Sequence, residues 1–146
     1  MDRSARSGRR RFNPAENRRF APLHAIALAE VVGNLMMLGH YVFFSLHDAS
    51  ADAVETLIAS GKTLLAPLDG IVFFGMGSRT GDLIRPVNDT QFDVGLQIVF
   101  TDRQAHDRYQ ELPNHLKFIE QNRENWSQIR VFDIDLAEVP PSSPKT

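Results

Sequence analysis

The 146-residue chain contains no cysteine, which excludes disulfides, thiolate metal sites and a cysteine nucleophile. It lacks a glycine loop ending in Lys-Ser/Thr, so no phosphate cradle is expected. Gly75, Gly77 and Gly81 are read instead as parts of a hairpin turn. No two histidines stand four apart beside a glutamate, so local spacing supplies no metal site and no cofactor is expected. A site assembled in three dimensions stays open. An apolar run after the basic N-terminus, residues 21–38, is interrupted by His24, Glu30 and Asn34 and has no small-x-small cleavage pattern behind it.

What is present is an ordinary globular composition, 42% hydrophobic and 23% charged, with length enough for one core. The net charge of −2 is unevenly spread. Seven Arg against Asp2 and Glu16 give residues 1–20 a charge of +5, which leaves −7 on the remainder. An acidic body argues against a nucleic-acid groove, and nothing points to a membrane. A cytoplasmic location is expected.

Residues 1–37 read as a basic leader that cannot bury enough surface to offset its chain entropy. Disorder is expected for it. The stretch after Ala21 has three readings: a short amphipathic helix, upstream sequence ahead of a start at Met36 or Met37, or a targeting segment. Residues 38–136 form the expected domain, and 137–146, with Pro140, Pro141 and Pro144, a disordered tail.

Within the domain, His40 to Leu46 is a continuous apolar and aromatic run and is expected to be a strand. A helix follows, with Asp52 and Glu55 in its first turn and Val54, Leu57, Ile58, Gly61, Leu65 and Leu68 at helical spacing, ending near Pro67. Ile71 to Met76 is a second strand. Phe92, Val94, Leu96, Ile98 and Phe100 alternate with Asp93, Gly95 and Gln97, the period of a strand with one buried face. Thr101 to Gln104 has capping-box spacing, and the helix it opens must break before Pro113, itself well placed to start a new helix running to about Asn125. Ile129 to Leu136 closes as a strand.

The order β-α-β-β-α-β is the ferredoxin-like pattern, an α+β fold with a four-stranded antiparallel sheet and helices on one face. Val42-Phe43-Phe44 and Val72-Phe73-Phe74 put large apolar groups on both faces of that sheet. The open face therefore needs cover, and a two-fold homodimer with sheets face to face supplies it.

His40-Tyr41-Val42-Phe43-Phe44, Phe92-Asp93-Val94-Gly95-Leu96 with Phe100, Tyr109 before Pro113-Asn114-His115, then Phe118, Trp126 and Val131-Phe132-Asp133 together resemble the stress-responsive A/B barrel (Dabb) family. The resemblance spans about residues 38–136 and implies a dimeric α+β barrel more firmly than any activity. One branch comprises plant polyketide cyclases in which a Tyr and a His at the broken helix assist an aldol condensation. Tyr109 and His115 fall on those positions, with His40, Phe118 and Trp126 matching nearby residues. Leu112 stands where that branch has a further His, and the loop from Arg79 to Thr90 departs from it.

Tyr109 and His115 are accordingly the candidate catalytic residues. His40, Val42, Phe44, Val94, Leu96, Phe118 and Trp126 are the candidate ligand-binding residues, for a small apolar or carbonyl-containing metabolite. On an unbroken helix residues six apart subtend about 600° and face apart, whereas a break at Pro113 can turn both into one cleft. The competing structural reading has His115 capping the broken helix, Tyr109 anchoring the corner through its hydroxyl, and Trp126 filling the core. An open cavity joining Tyr109, His115 and His40 favours ligand chemistry; a cleft filled by Trp126 and Phe118 favours structure. A weaker third reading is an oxygenase, by fold analogy alone. His106 is expected to be exposed. Arg79, Asp82, Arg85 and Asp89 are expected to form a solvated or dimer-rim cluster, with a clamp for an anionic ligand as the other reading.

Overall fold

A computed structural model describes residues 36–137. Residues 1–35 of the leader and all but the first residue of the tail lie outside the described residues; Met37, placed in the leader, already belongs to the first strand.

In the first strand, β1 (Met37–Leu46), the residues from His40 onward alternate between two environments. Leu38, His40, Val42, Phe44 and Leu46 are buried beneath helices, while Tyr41, Phe43 and Ser45 face the other way and are half-buried. Ser50 starts helix α1 (Ala51–Leu64) by accepting a hydrogen bond from the Ala53 N–H, and Asp52 sits in the first turn where the dipole favours it. Leu57, Ile58, Gly61 and Leu64 form its buried stripe. Gly61 lets the helix lie close to the next strand, since a Cβ there would run into Met76 Sδ.

Strand β2 (Ile71–Ser78) begins after Gly70, whose φ of +83° suits glycine. It runs past Gly75 and Gly77, which are strand residues rather than parts of a tight turn; only Gly81 lies in the long connection that follows. Gly75 and Gly77 carry the same pleat as Phe73, on the face away from the helices. Strand β3 (Val94–Phe100) buries Val94, Leu96, Ile98 and Phe100 completely or nearly so. Helix α2 (Arg103–Glu111) is capped by Asp102, whose carboxylate accepts from the Ala105 N–H at 2.7 Å. The capping box expected one residue earlier does not form. With extended Asp102 as the cap, Gln104 is one position too early to reach back.

Leu112 is extended (φ −66°, ψ 140°), the geometry imposed by the proline that follows, and Pro113 opens helix α3 (Pro113–Asn122). A 3₁₀ turn (Arg123–Asn125) leads into β4 (Trp126–Leu136), three residues earlier than the apolar pattern implied. All strand pairs are antiparallel, in the order β2-β3-β1-β4. The fold is α+β and ferredoxin-like. No helix among the described residues is long and apolar enough to cross a membrane.

The two sheet faces differ in cover. Under the helices lies the core, with Phe44, Ile98, Phe100 and Leu65 at its centre. On the other face Phe43 packs against Phe92 and Phe132, with ring centroids 4.9 and 5.9 Å apart, while Phe73, Phe132 and Ile134 remain about half exposed. Gly95 lies beneath the Phe43 ring, and Asp93 turns its carboxylate to the Leu46 N–H at 2.8 Å. Of the residues that interrupt this face, Asp93 is thus spent on a backbone contact and Gly95 on room for an aromatic ring, while Gln97 stays exposed.

Candidate functional site

The helix break at Leu112–Pro113 creates the site. Extended Leu112 interrupts the helix between Tyr109, near the end of α2, and His115, at the start of α3. Their rings come to 4.5 Å between centroids, a contact that the two positions could not make on one continuous helix. His115 Nδ1 lies 3.1 Å from the Gln110 carbonyl oxygen. Nδ1 is therefore the protonated nitrogen, and Nε2 keeps a lone pair.

Both side chains line a cavity of about 400 Å³ between the α2–α3 corner and strands β1 and β4. His40, Val42, Phe44, Leu96, Phe118 and Trp126 line it too. Val94 does not. It is completely buried at the start of β3, packed into the core. Tyr109 is buried, and its hydroxyl has no hydrogen-bonding partner among the described residues, so it does not anchor the corner in the way the structural reading required. Burial alone pushes its pKa well up, which keeps the phenol protonated as a donor. Burial likewise lowers the pKa of His115, opposed by the Gln110 carbonyl and assisted by His40 and His106. The Trp126 indole N–H is buried without a partner among the described residues, at a cost of about 1–3 kcal/mol.

The opposite wall holds His40, a candidate from the sequence, together with His106 and Asp133, which sequence reasoning did not place in the site. His40 on β1 pairs in register with Asp133 on β4, and its Nδ1–H donates to Asp133 Oδ1 at 2.5 Å. Burial lowers the His40 pKa, and this bond and the carboxylate charge oppose it. His106, expected on the surface, turns inward instead: its side chain is only 13% exposed. Its ring stands 5.2 Å from His40 and 5.5 Å from Phe100 between centroids, because α2 lies across β1 and β3 rather than beside them. His106 Nδ1–H donates to Asp107 at 3.1 Å, and Nε2 lies 3.9 Å from Asp133 Oδ1. The sequence signal for His106 was available, since it stands one helical turn before Tyr109. Asp133 offered none, because only strand pairing places it opposite His40.

The loop charges do not converge on the cavity. Asp89 pairs with Arg130 of β4, Arg85 reaches Asn88, and Arg79 donates to the Phe92 carbonyl. Among the described residues these side chains are engaged locally and do not gather around one point; Asp82 is exposed.

The family model described as Stress responsive A/B Barrel Domain (Dabb) matches residues 38–136. The chain belongs to this family. Among solved structures, the A/B barrel resembles a Dabb family protein with a ferredoxin-like fold from Mesorhizobium loti, at 23% identity and TM-score 0.59 over 70% of this chain and 99% of that one. It also resembles a dimeric ferredoxin-like protein of unknown function from Thermobifida fusca (18% identity, TM-score 0.59, 69% and 92% covered). A third is the hydroxynitrile lyase of Passiflora edulis (19% identity, TM-score 0.59, 73% and 99% covered). At these identities the likenesses establish the fold, and the A/B barrel family carries no single activity. No curated protein matches the chain.

Proposed function

We propose that this A/B barrel binds a small, largely apolar, carbonyl-containing metabolite in the α2–α3 cleft and moves a proton on it with Tyr109 and His115. The observation that carries the reading is their juxtaposition: an unpartnered phenol and an imidazole with a free Nε2, 4.5 Å apart between ring centroids, on one cavity of about 400 Å³. Val42, Phe44, Leu96, Phe118 and Trp126 supply the apolar wall that gives affinity, and the polar groups fix orientation. Tyr109 donates a hydrogen bond to an oxygen that gains negative charge, and His115, neutral near pH 7, accepts the proton. The polyketide-cyclase branch of the family offers the reaction type, an aldol-type closure; the substrate itself is left open.

A second reading has an observation of its own. The His115 bond to the Gln110 carbonyl caps the broken helix, which a purely structural module would also need. The two readings part in a thermal-shift screen of carbonyl and polyketide-like compounds against the wild type, Tyr109→Phe and His115→Gln. The ligand reading expects hits that stabilise the wild type, whose turnover both variants lose while their own melting barely moves. No hit, together with a strong loss of melting temperature in both variants, would leave the structural module.

The reading includes pairing with a second copy through the open sheet face. Burying a Phe is worth about 1.5–3 kcal/mol, so covering Phe73 and Phe132, each about half exposed, and Ile134 beside them contributes several kcal/mol per subunit. Light scattering should report a dimer at micromolar concentration, and a monomer there would sink the pairing.

A further inference from the structure

Three side chains from three separate elements meet on the wall opposite His115: His40 from β1, His106 from α2 and Asp133 from β4. Their candidate ligand atoms all lie within 4.8 Å of one another. We propose that His40, His106 and Asp133 form a site for a divalent transition-metal cation, held by two imidazoles and one carboxylate with its remaining coordination positions facing the cleft.

The donor set comes first. Two nitrogens and one carboxylate oxygen suit borderline cations such as Zn²⁺, and three protein ligands are what a metal with an open position uses. The tautomer of His106 is also set for this purpose. Asp107 accepts the Nδ1–H at 3.1 Å, so Nε2 keeps its lone pair, 3.9 Å from Asp133 Oδ1, as in the carboxylate–histidine–metal arrangement. The Gln110 amide nitrogen lies 3.2 Å from that Nε2 and engages the lone pair until a cation displaces it.

Size agrees as well. Bonds of about 2.0–2.1 Å at tetrahedral angles put ligand atoms about 3.3 Å apart. Asp133 Oδ1 stands 2.5 Å from His40 Nδ1 and 3.9 Å from His106 Nε2, so the two edges straddle the required length. The cation takes the place of the proton between His40 Nδ1 and Asp133, which leaves to solvent. Access is open, since the Asp133 side chain is 44% exposed and all three groups line the cavity. A plain His–Asp hydrogen bond would explain His40 and Asp133 but not why His106 is turned inward with its Nε2 3.9 Å from the same oxygen. A cation here would bind a ligand oxygen within the cavity that Tyr109 shares. The assignment does not rest on proton transfer by Tyr109 and His115, and metal alone tests it.

The untagged full chain, stripped with a chelator, is titrated calorimetrically with Zn²⁺ and, separately, with Co²⁺ while visible absorption is followed. The site predicts one strong cation per chain, a Co²⁺ spectrum of a low-symmetry nitrogen–oxygen site, and a higher melting temperature with metal. His106→Ala and Asp133→Asn should each weaken binding roughly tenfold or more, the scale seen when metal-site contacts are lost. His24→Ala and His47→Ala should leave it unchanged. Because Asp133 is partly exposed, Asp133→Asn decides the matter even if His106→Ala folds poorly. No binding by the wild type, or equal binding by wild type and Asp133→Asn, overturns the site.

Discussion

On β1 the even-numbered and odd-numbered residues meet different surroundings. Leu38, His40, Val42 and Phe44 lie under the helices, and the cleft at the α2–α3 corner opens above His40, Val42 and Phe44. Tyr41 and Phe43 lie on the bare face, beside a shallower groove shared with Phe92 and Arg79. The covered face is sealed over β3, where Val94, Ile98 and Phe100 are fully buried, and loose over β4, where Val131 and Asp133 remain close to half exposed. The cleft therefore exists because two short helices cover β3 and leave β4 overhanging. Under the proposed function, one strand would serve ligand chemistry with one set of side chains and self-association with the other.

That division can be tested by attacking each face separately. The largest effect belongs to the covered face: His115→Gln should lower the rate of a ligand-dependent reaction by about 10² to 10⁴, the usual worth of a positioned acid–base group, with little change in melting. Next is Phe44→Ala. It removes a ring that is 2% exposed and packs against Phe118 and Trp126, and should destabilise the fold by about 3–5 kcal/mol in chemical denaturation.

On the bare face, Phe132→Asp should weaken self-association by about thirtyfold, the equivalent of about 2 kcal/mol for an interface anchor, as read by sedimentation. Ligand binding should survive in the resulting monomer. If Phe132→Asp abolished ligand binding as well, the two faces would not be independent.

A smaller effect is expected from pH. Burial holds the His115 pKa below its ordinary 6.5, so the folded chain resists a proton that the unfolded chain takes up there. Stability should fall as pH drops below 6.5, and His115→Gln should flatten that dependence in melting curves. The reaction rate should hold as pH falls through 6.5 and decline only below it. Smallest of all, Asp89→Asn removes an exposed ion pair with Arg130 and should leave the melting temperature unchanged.

Much of this was legible in the residues. The alternation from Val94 to Phe100, the apolar run of β1 and Pro113 at a helix start each follow from local rules, which is why the element order could be read with only end residues misplaced. Boundaries slipped where side chains decide them. Asp102 outcompetes Thr101 as a cap because its carboxylate is the stronger acceptor for a free backbone N–H, and Gly75 and Gly77 stay in β2 because pairing to β3 continues past them. Tyr109 and His115 were singled out by the family resemblance, and the proline between them supplied the physical reason that they could meet. His106 was misjudged because a surface position on an isolated helix says nothing of what the helix lies across.

The sequence by itself determined the local states: two helices broken at a proline, four strands, one face of each strand apolar, and a second apolar face in need of cover. Those outcomes depend on backbone sterics and on spacing within about ten residues. Only the tertiary structure decided that His40 would meet Asp133, that His106 would point inward and that β4 would overhang to leave a cavity. Each of these depends on strand register and helix placement, which bring together groups up to 93 residues apart and are set by the packing of the whole core.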